Sequence, residues 1–451
     1  MLWQVRLMEA TTVKAHDTFS GGVHPADNKQ LTAHKPTVTA AIPKRAVIPL
    51  SQHIGAPTKP LVVIGQEVKK GEKIGETTGF VSAPVHATIS GKVVALGNFP
   101  HVLGTDMPGV VIENDGKDEW VGGLKENPDY QLLSPDELKK IVQDAGIVGM
   151  GGATFPTHVK LSPPKEKPID VIILNGAECE PYLTSDHRLM LEKSSEIVDG
   201  LKILMRILNV SKGYIGIESN KPDAIESMTK AAAGSPEVNV WPVKVKYPQG
   251  AEKMLIKAIA GRTVPAGGLP MDVHVVVQNV GTAEAIYNAV RYGKPLIERY
   301  VTVTGRGVKE PKNFLVRIGT PFSQLIEEAG GLTDNAAKVI SGGPMMGMSQ
   351  YTLDVPVIKG TSGITVLPRD EVYTKPYGPC IRCGRCIDAC PMKLQPSYIG
   401  LYVEKGHYED AKNYNLMDCF ECGSCTFVCP ANRPMVQWVK KAKKELAKKK
   451  N

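Results

Sequence analysis

The sequence predicts a multidomain α/β protein: an N-terminal β-module, an α/β core, a small mixed unit of strands and one helix, and a helical, cysteine-rich C-terminal domain. Three observations carry this reading. At 451 residues the chain exceeds what a single hydrophobic core organises, so roughly two to four domains are expected. Strand-sized and helix-sized apolar segments alternate through its middle, the pattern of a mostly parallel sheet covered by helices. Eight of the nine cysteines fall between Cys380 and Cys429, a clustering that suits metal better than a dispersed disulfide scaffold.

Composition narrows the class. With 42% hydrophobic and 22% charged residues the chain is ordinary for a soluble protein. No run approaches the ~20 apolar residues that span a bilayer; the longest, in IDVIILN and HVVVQNV, are strand-sized. Arg6 and Glu9 interrupt MLWQVRLMEA, so a signal peptide is not expected and the compartment reads as cytoplasmic. Net charge is +8, but the last fourteen residues, WVKKAKKELAKKKN, hold seven Lys and one Glu and so contribute +6. The remaining +2 speaks against a nucleic-acid-binding face.

Taken in order, residues 1–34, with FSGGVHPADNKQLTAHKP, lack a helical period and read as an extended arm. Residues 35–130 hold short Val/Ile runs between glycine turns: VIPLSQHIG, PLVVIGQEVKKGEKIGE and VSAPVHATISGKVVAL. The spacing of VKKGEKIGE and SAPVHATISGKV resembles the barrel-sandwich hybrid of biotinyl and lipoyl domains. The intervening TTGFV has no lysine to carry a prosthetic group, so this is read as a packing or docking module.

The α/β core is assigned to 131–297. It opens with a helix capped by Ser134, with Pro135 first in the helix, Glu137 completing a capping box and Gly146 closing it. Strands are expected at IDVIILN, GYIGIES, VNVWPVKV and VHVVVQN. Helices are expected at HRLMLEKSSEIVDGLKILMRIL, PDAIESMTKAAA, GAEKMLIKAIA and TAEAIYNAVRY. Residues 298–368 change to strands, a helix and glycine turns, resembling the soluble-ligand-binding β-grasp (SLBB) domain in the role of a spacer. Residues 369–437 form the cysteine-rich domain, with one helix-length segment, SYIGLYVEKGHYEDAKNYN, between its motifs. The lysine-rich tail, 438–451, suits either an anionic lipid surface or acidic partner, or a solvated helix end.

CIRCGRCIDACP and CFECGSCTFVCP both follow Cys-x-x-Cys-x-x-Cys-x-x-x-Cys-Pro, the spacing of bacterial two-cluster ferredoxins. Three thiolates on a tight loop grip one cubane, and the fourth, expected at the start of a helix, reaches to the other. Cys380, Cys383, Cys386 and Cys429 would hold one 4Fe-4S cluster, and Cys419, Cys422, Cys425 and Cys390 the second. Gly384 and Gly423 fall where the backbone must curl around sulfide; Pro391 and Pro430 redirect the chain. A pair of zinc sites would not ask for this third and fourth spacing twice.

A glycine-rich turn, GIVGMGGATFPTHVKL, follows the capped helix. Gly149, Gly151 and Gly152 can bring backbone N–H groups against a phosphate. The next strand ends in LNGAECEPYLTSDH, putting Asn175, Glu178 and Glu180 at the mouth of the sheet, where two carboxylates suit ribose hydroxyls. KYPQGAEKML and VVQNVGTAEA again place polar residues at turns entering helices. Cys179 reads as a small buried residue, and the histidines at 16, 24, 34, 53, 86 and 158 as structural or surface groups.

These four segments resemble, in order, the flavin-bearing NADH-oxidising subunit of respiratory complex I. That resemblance implies that Gly149, Gly151, Gly152 and Lys160 cradle FMN, with Asn175, Gln278, Asn279 and Thr282 completing its site. It also implies that Phe155 and Glu180 face NAD(H) and that Glu252 lies beside flavin and nicotinamide. Ala177, Ala251 and Gly281 depart from that family's Asp, Glu and Glu. With the β-module, the SLBB segment and the doubled cysteine motif, the whole chain resembles the C-subunit family of the Rnf electron-transport complex, FSGGVHPADNK and GMGGATFPTHVKL being close matches.

The resemblance implies an NAD(H)-facing oxidoreductase component with FMN and two 4Fe-4S clusters. It further implies a peripheral position on the cytoplasmic face of the membrane. Its partners would be the iron-sulfur B subunit and the membrane subunits, ferredoxin indirectly, and no nucleic acid. A soluble cobalamin reductase would use the same modules with the β-module after the flavin domain. A non-enzymatic iron-sulfur electron-transfer module that has lost nucleotide binding is the third reading.

Overall fold

The structure, a computed structural model, describes residues 18–122 and 124–448. Arg6, Glu9 and His16 of the expected arm, and Lys449 and Lys450 of the tail, lie outside the described residues. From Thr18 onward the arm is a strap pressed across the molecule. Gly22 N–H donates to the Ala389 carbonyl at 2.9 Å, and Val23 exchanges backbone hydrogen bonds with Tyr247. Lys29 is buried, its Nζ donating to the carbonyls of Glu180 and Leu183.

The Val/Ile runs of the β-module form two small antiparallel sheets. One is ordered Arg45–Pro49, Met107–Asn114, Gly91–Phe99, Glu67–Val68, and the other Lys59–Pro60, Lys73–Glu76, Val85–His86. Period-two alternation puts Ile48, Val68, Ile74, Val85, Val93 and Ile112 in the core between them. Val38–Thr39, expected in this module, instead pairs in parallel with Lys312–Arg317, because so short a strand finds its ladder only on an existing edge.

All four strands expected in the α/β core are present, in the order Val238–Val243, Gly213–Glu218, Val171–Asn175, Val275–Asn279, and all are parallel. Three strands are laid down in one direction, and the fourth crosses to the far side of the first. Ligands of open α/β sheets sit at such a reversal, beyond the carboxyl ends of the strands. Here Asn175 and Asn279 are register partners at those ends.

The helix Pro135–Asp144 starts as expected, with both halves of the Ser134/Glu137 capping box in place. The segment expected as one helix over 187–208 is two, Ser185–Glu192 and Ser194–Leu208, hinged at Lys193 with φ −135°. Ser194 and Ser195, weak helix formers, follow that break. The second of these helices packs along Val280–Tyr292.

The third unit is a six-stranded mixed sheet ordered Val38–Thr39, Lys312–Arg317, Glu298–Thr304, Gly363–Pro368, Ala336–Ser341, Met348–Ser349. The helix Phe322–Glu328 covers it, burying Phe322, Leu325 and Ile326. The C-terminal domain packs its helices Pro396–Glu404, Tyr408–Lys412 and Met435–Lys448 around Leu394, Ile399, Val403, Leu416, Val439 and Leu446. The segment 397–415, expected as one helix, breaks at Gly406, φ +80°. Residues 438–448 are no separate tail but the body of the last helix, with Val439, Ala442 and Leu446 buried at helical spacing. Among the described residues no helix is long and apolar enough to cross a membrane.

Candidate functional site

The glycine turn lies on the reversal point of the α/β sheet. A Cβ at Gly151 would stand 3.2 Å from the Asn279 side chain, whereas one at Gly152 would meet nothing within 4 Å. The turn is closed by Gly149 N–H donating to the Phe155 carbonyl at 2.8 Å. It is tied down by Met150 N–H donating to Thr282 Oγ1 at 2.9 Å. Asn279 caps the helix Val280–Tyr292 by accepting from Gly281 N–H, so a positive helix end points at the same place.

Around this turn stand the other expected flavin-site groups. Lys160 Nζ pairs with Glu252 Oε1 at 2.9 Å and donates to the Val277 carbonyl at 3.2 Å. Asn175 Nδ2 donates to the Gly250 carbonyl at 2.8 Å. Gln278 is buried, and among the described residues neither its amide nitrogen nor its oxygen finds a partner. An unsatisfied buried amide is costly, and a flat heteroaromatic ring with donors and acceptors at its edge is the kind of group that would satisfy it. Open space over Gly152, a lysine and this orphaned amide fit FMN. Behind the turn, a small open pocket is lined by Met150, Asp186, Asn279, Glu284 and Arg299 among others.

Two expected nucleotide ligands are engaged elsewhere. The Glu178 carboxylate accepts from the backbone N–H groups of Asp186 and His187, capping the helix that follows. Glu180 Oε1 accepts from Met345 N–H at 2.7 Å and Met346 N–H at 2.9 Å, and burial raises its pKa. Both carboxylates are thus already engaged with backbone N–H groups. Cys179, expected to be buried, is half-buried, its Sγ accepting from Gly250 N–H, and desolvation pushes its thiol up. His53, His86 and His158 are buried and held toward the neutral form by burial, His86 down to about 3.

The two cysteine motifs fold into matching loops. Arg382 and Glu421, Gly384 and Gly423, and Lys393 and Asn432 occupy corresponding places, and all six have positive φ. Each third cysteine sits on a short helix, Arg385–Asp388 or Ser424–Phe427. Each fourth cysteine, expected at a helix start, follows the end of that helix, because the left-handed glycine places the helix before it. Cys390, Cys419, Cys422 and Cys425 line one cavity, the interleaved set expected for one cluster. Burial raises the Cys425 thiol and the neighbouring Cys419, Cys422 and Cys390 raise it further; burial likewise takes Cys419 up to about 11. In the other set, the buried Cys386 feels Cys429. Among the described residues no three His, Cys, Asp or Glu converge on a single-ion site; the four thiols surround a volume instead.

Sequence reasoning misses the groups that join these two halves. The Tyr247 hydroxyl donates to the Cys422 carbonyl at 2.7 Å. A Cβ at Gly423 would lie 2.8 Å from the Met345 carbonyl oxygen. Lys443, read as tail, pairs with Glu421 at 2.9 Å and also donates to the Cys419 carbonyl. Lys359 is buried with its Nζ 2.7 Å from the carbonyls of both Pro84 and Gly146, bridging the β-module to the glycine turn, and burial takes it down to about 7. Tyr247 lies within the KYPQGAEKML turn, but nothing local marks its partner.

Four family models match in chain order: the RnfC barrel sandwich hybrid domain over 17–117, the Nuo51 FMN-binding domain over 142–288, the SLBB domain over 300–349 and the 4Fe-4S dicluster domain over 379–433. The chain is 54% identical to the C-subunit of the proton-translocating ferredoxin:NAD(+) oxidoreductase complex of Clostridium ljungdahlii, covering 95% of this chain and 94% of that protein. The chain belongs to the C-subunit family of these oxidoreductase complexes. It is also 47% identical to the Na(+)-translocating counterpart of Acetobacterium woodii, over 96% and 97% of the two chains. To the C-subunit of the ion-translocating oxidoreductase complex of Rhodobacter capsulatus it is 45% identical, over 97% and 85%. As a C-subunit protein it is an oxidoreductase component with FMN-binding and 4Fe-4S domains. Its β-module match precedes the flavin-domain match, and the cobalamin reductase reading is set aside.

Proposed function

We propose that this protein exchanges electrons between NAD(H) and a partner iron-sulfur protein through a flavin site and two cluster sites set in series. Gly149, Gly151, Gly152, Lys160, Asn175, Gln278, Asn279 and Thr282 would hold FMN. Glu252 and Phe155 would border the nicotinamide. Cys390, Cys419, Cys422 and Cys425 would hold the cluster nearer the flavin, and Cys380, Cys383, Cys386 and Cys429 the outer one. When bound, FMN accepts the electron pair of a hydride and the clusters accept single electrons, which is why both kinds of carrier belong on one chain.

The observation that carries the order is the contact of Tyr247 with the Cys422 carbonyl, since Tyr247 begins the turn whose Gly250 carbonyl holds Asn175. Lys160 supplies a fixed positive charge and the capped helix end a second positive pole, both suited to phosphate and to flavin charge. At the far end, Cys383 is exposed, and Ile381 (65% exposed), Arg382 and Arg385 flank it. An apolar and basic rim of this kind suits an acidic electron-transfer protein, in our reading the iron-sulfur B subunit, with the membrane subunits beyond it and ferredoxin reached indirectly. In the same reading the chain sits peripherally on the cytoplasmic face of the membrane.

The test is an anaerobic absorbance titration of the reconstituted protein with NADH. Bleaching of both flavin and cluster bands is expected. A flavin band untouched by NADH overturns the reading.

A further inference from the structure

Resting on that function, the surroundings of Glu180 assign it a task different from the one its family resemblance implies. We infer that Glu180 and Tyr247 are positioning residues for electron transfer between the flavin site and the inner cluster, and that Glu180 is not a nucleotide ligand. The pair forms a seam joining the end of the α/β strand, a loop of the six-stranded unit and the Cys419–Cys425 loop.

One carboxylate oxygen, Glu180 Oε1, gathers the two consecutive N–H groups of Met345 and Met346. The loop can approach so closely because position 343 is glycine: a Cβ there would sit 2.1 Å from Glu180 Cγ, so any side chain would expel the carboxylate. The loop so held rests its Met345 carbonyl against Gly423 of the cysteine loop. Tyr247 closes the other side, its hydroxyl donating to the Cys422 carbonyl beside the Glu180 carboxylate.

The strap then fixes both partners. Lys29 Nζ holds the Glu180 carbonyl at 3.0 Å. Val23 pairs with Tyr247 through backbone bonds of 2.8 and 2.9 Å. One residue earlier, Gly22 N–H is bonded to Ala389, the neighbour of the crossing ligand Cys390. Val23, Cys179, Tyr247, Met345, Ala389 and Cys422 share one small apolar cluster, so the spacing of the seam is set by packing. Electronic coupling falls steeply with separation, so a seam that fixes this spacing fixes the transfer rate without touching NADH.

The experiment uses the holoprotein in anaerobic stopped-flow with NADH, following flavin and cluster absorbance separately, with iron content and the EPR of the reduced clusters as readouts independent of turnover. In Glu180→Ala, NADH affinity measured by flavin bleaching is expected to stay within about twofold, while cluster reduction slows by about tenfold or more. Tyr247→Phe is expected to act in the same direction, less strongly. Glu180→Gln is expected to recover the rate, because one amide oxygen can accept from both N–H groups. A selective loss of inner-cluster iron in Glu180→Ala with the flavin retained also supports the seam.

Weakened NADH affinity in both Glu180 variants, by about tenfold, with unaltered cluster reduction overturns the proposal. Should Glu180→Ala fail to accumulate, Tyr247→Phe, which removes one hydroxyl, decides; wild-type cluster kinetics in it overturn the seam. Flavin bleaching in the wild type is the separate control on the function itself.

Discussion

The two cysteine loops share a spacing and a backbone, yet their surroundings are opposed. In the first, Cys383, Ile381, Arg382 and Arg385 face solvent. In the second, Cys422 and Gly423 are buried against Tyr247 and Met345, and Lys443 covers Glu421. Twelve residues of motif therefore specify how a loop closes and which thiols it offers, but not what the loop is for. That is decided by segments far along the chain: the strap around Gly22, the turn at Tyr247 and the loop at Met345. In the proposed order one loop serves as an inlet beside the flavin site, and the other as an outlet.

The strongest way to break this comparison is to remove one thiol from each loop. Cys422→Ser is expected to abolish cluster reduction by NADH while flavin bleaching persists. Cys383→Ser is expected to leave reduction of the inner cluster intact and to block delivery to an external acceptor. Stopped-flow absorbance with EPR distinguishes the two, and equal behaviour of the variants would remove the serial order.

Metal removal gives a second, smaller contrast. Iron held near Cys383 is expected to be lost to a chelator or oxidant about tenfold faster than iron held in the Cys422 loop, as opening of a buried loop costs extra free energy. EPR of the reduced protein, recorded along a ferricyanide time course, reads the two signals. Simultaneous loss would mean that the buried loop is not protected.

What is legible in the sequence is local. The doubled motif, the capping box at Ser134 and Glu137 and the four core strands depend on neighbours in the chain, and each is present. The pairing of Asn175 with Asn279 follows once strand order is known. The engagement of Glu180 with the Met345 loop is not legible in the sequence because that partner lies 165 residues away, and a carboxylate at a strand mouth looks the same whether it awaits a ribose or a loop. Lys443 reads as tail because seven lysines mask one with a half-buried partner. Gly406 is the exception, a stop signal present in the segment read as one helix.

Lys443 sharpens the comparison electrostatically. Lys443→Met leaves Glu421 unpaired beside Cys419 and removes a cation that favours the reduced cluster. The inner cluster potential is expected to fall by up to about 60 mV, a tenfold change for a one-electron couple. The outer cluster is expected to move far less, since its loop lacks this contact. Lys441→Met, at an exposed position of the same helix, is the control. A redox titration followed by EPR measures both centres, and equal shifts in the two variants would reduce Lys443 to general charge.

The smallest effect is expected at the outlet rim. Arg382 and Arg385 are exposed, so they act through the screened long-range field rather than through fixed contacts. Reversing both, Arg382→Glu with Arg385→Glu, is expected to slow electron delivery to an acidic iron-sulfur acceptor by about threefold at low ionic strength, with the difference fading as the Debye length shortens toward ~8 Å at physiological salt. NADH-driven reduction of the chain's own clusters is expected to be unchanged, because the inlet loop has no such rim and its contacts are buried. A salt series of acceptor reduction rates, with internal reduction recorded in the same shots, tests both halves. A rim variant that slows internal reduction as well would place these arginines in the seam between domains and erase the contrast between the loops.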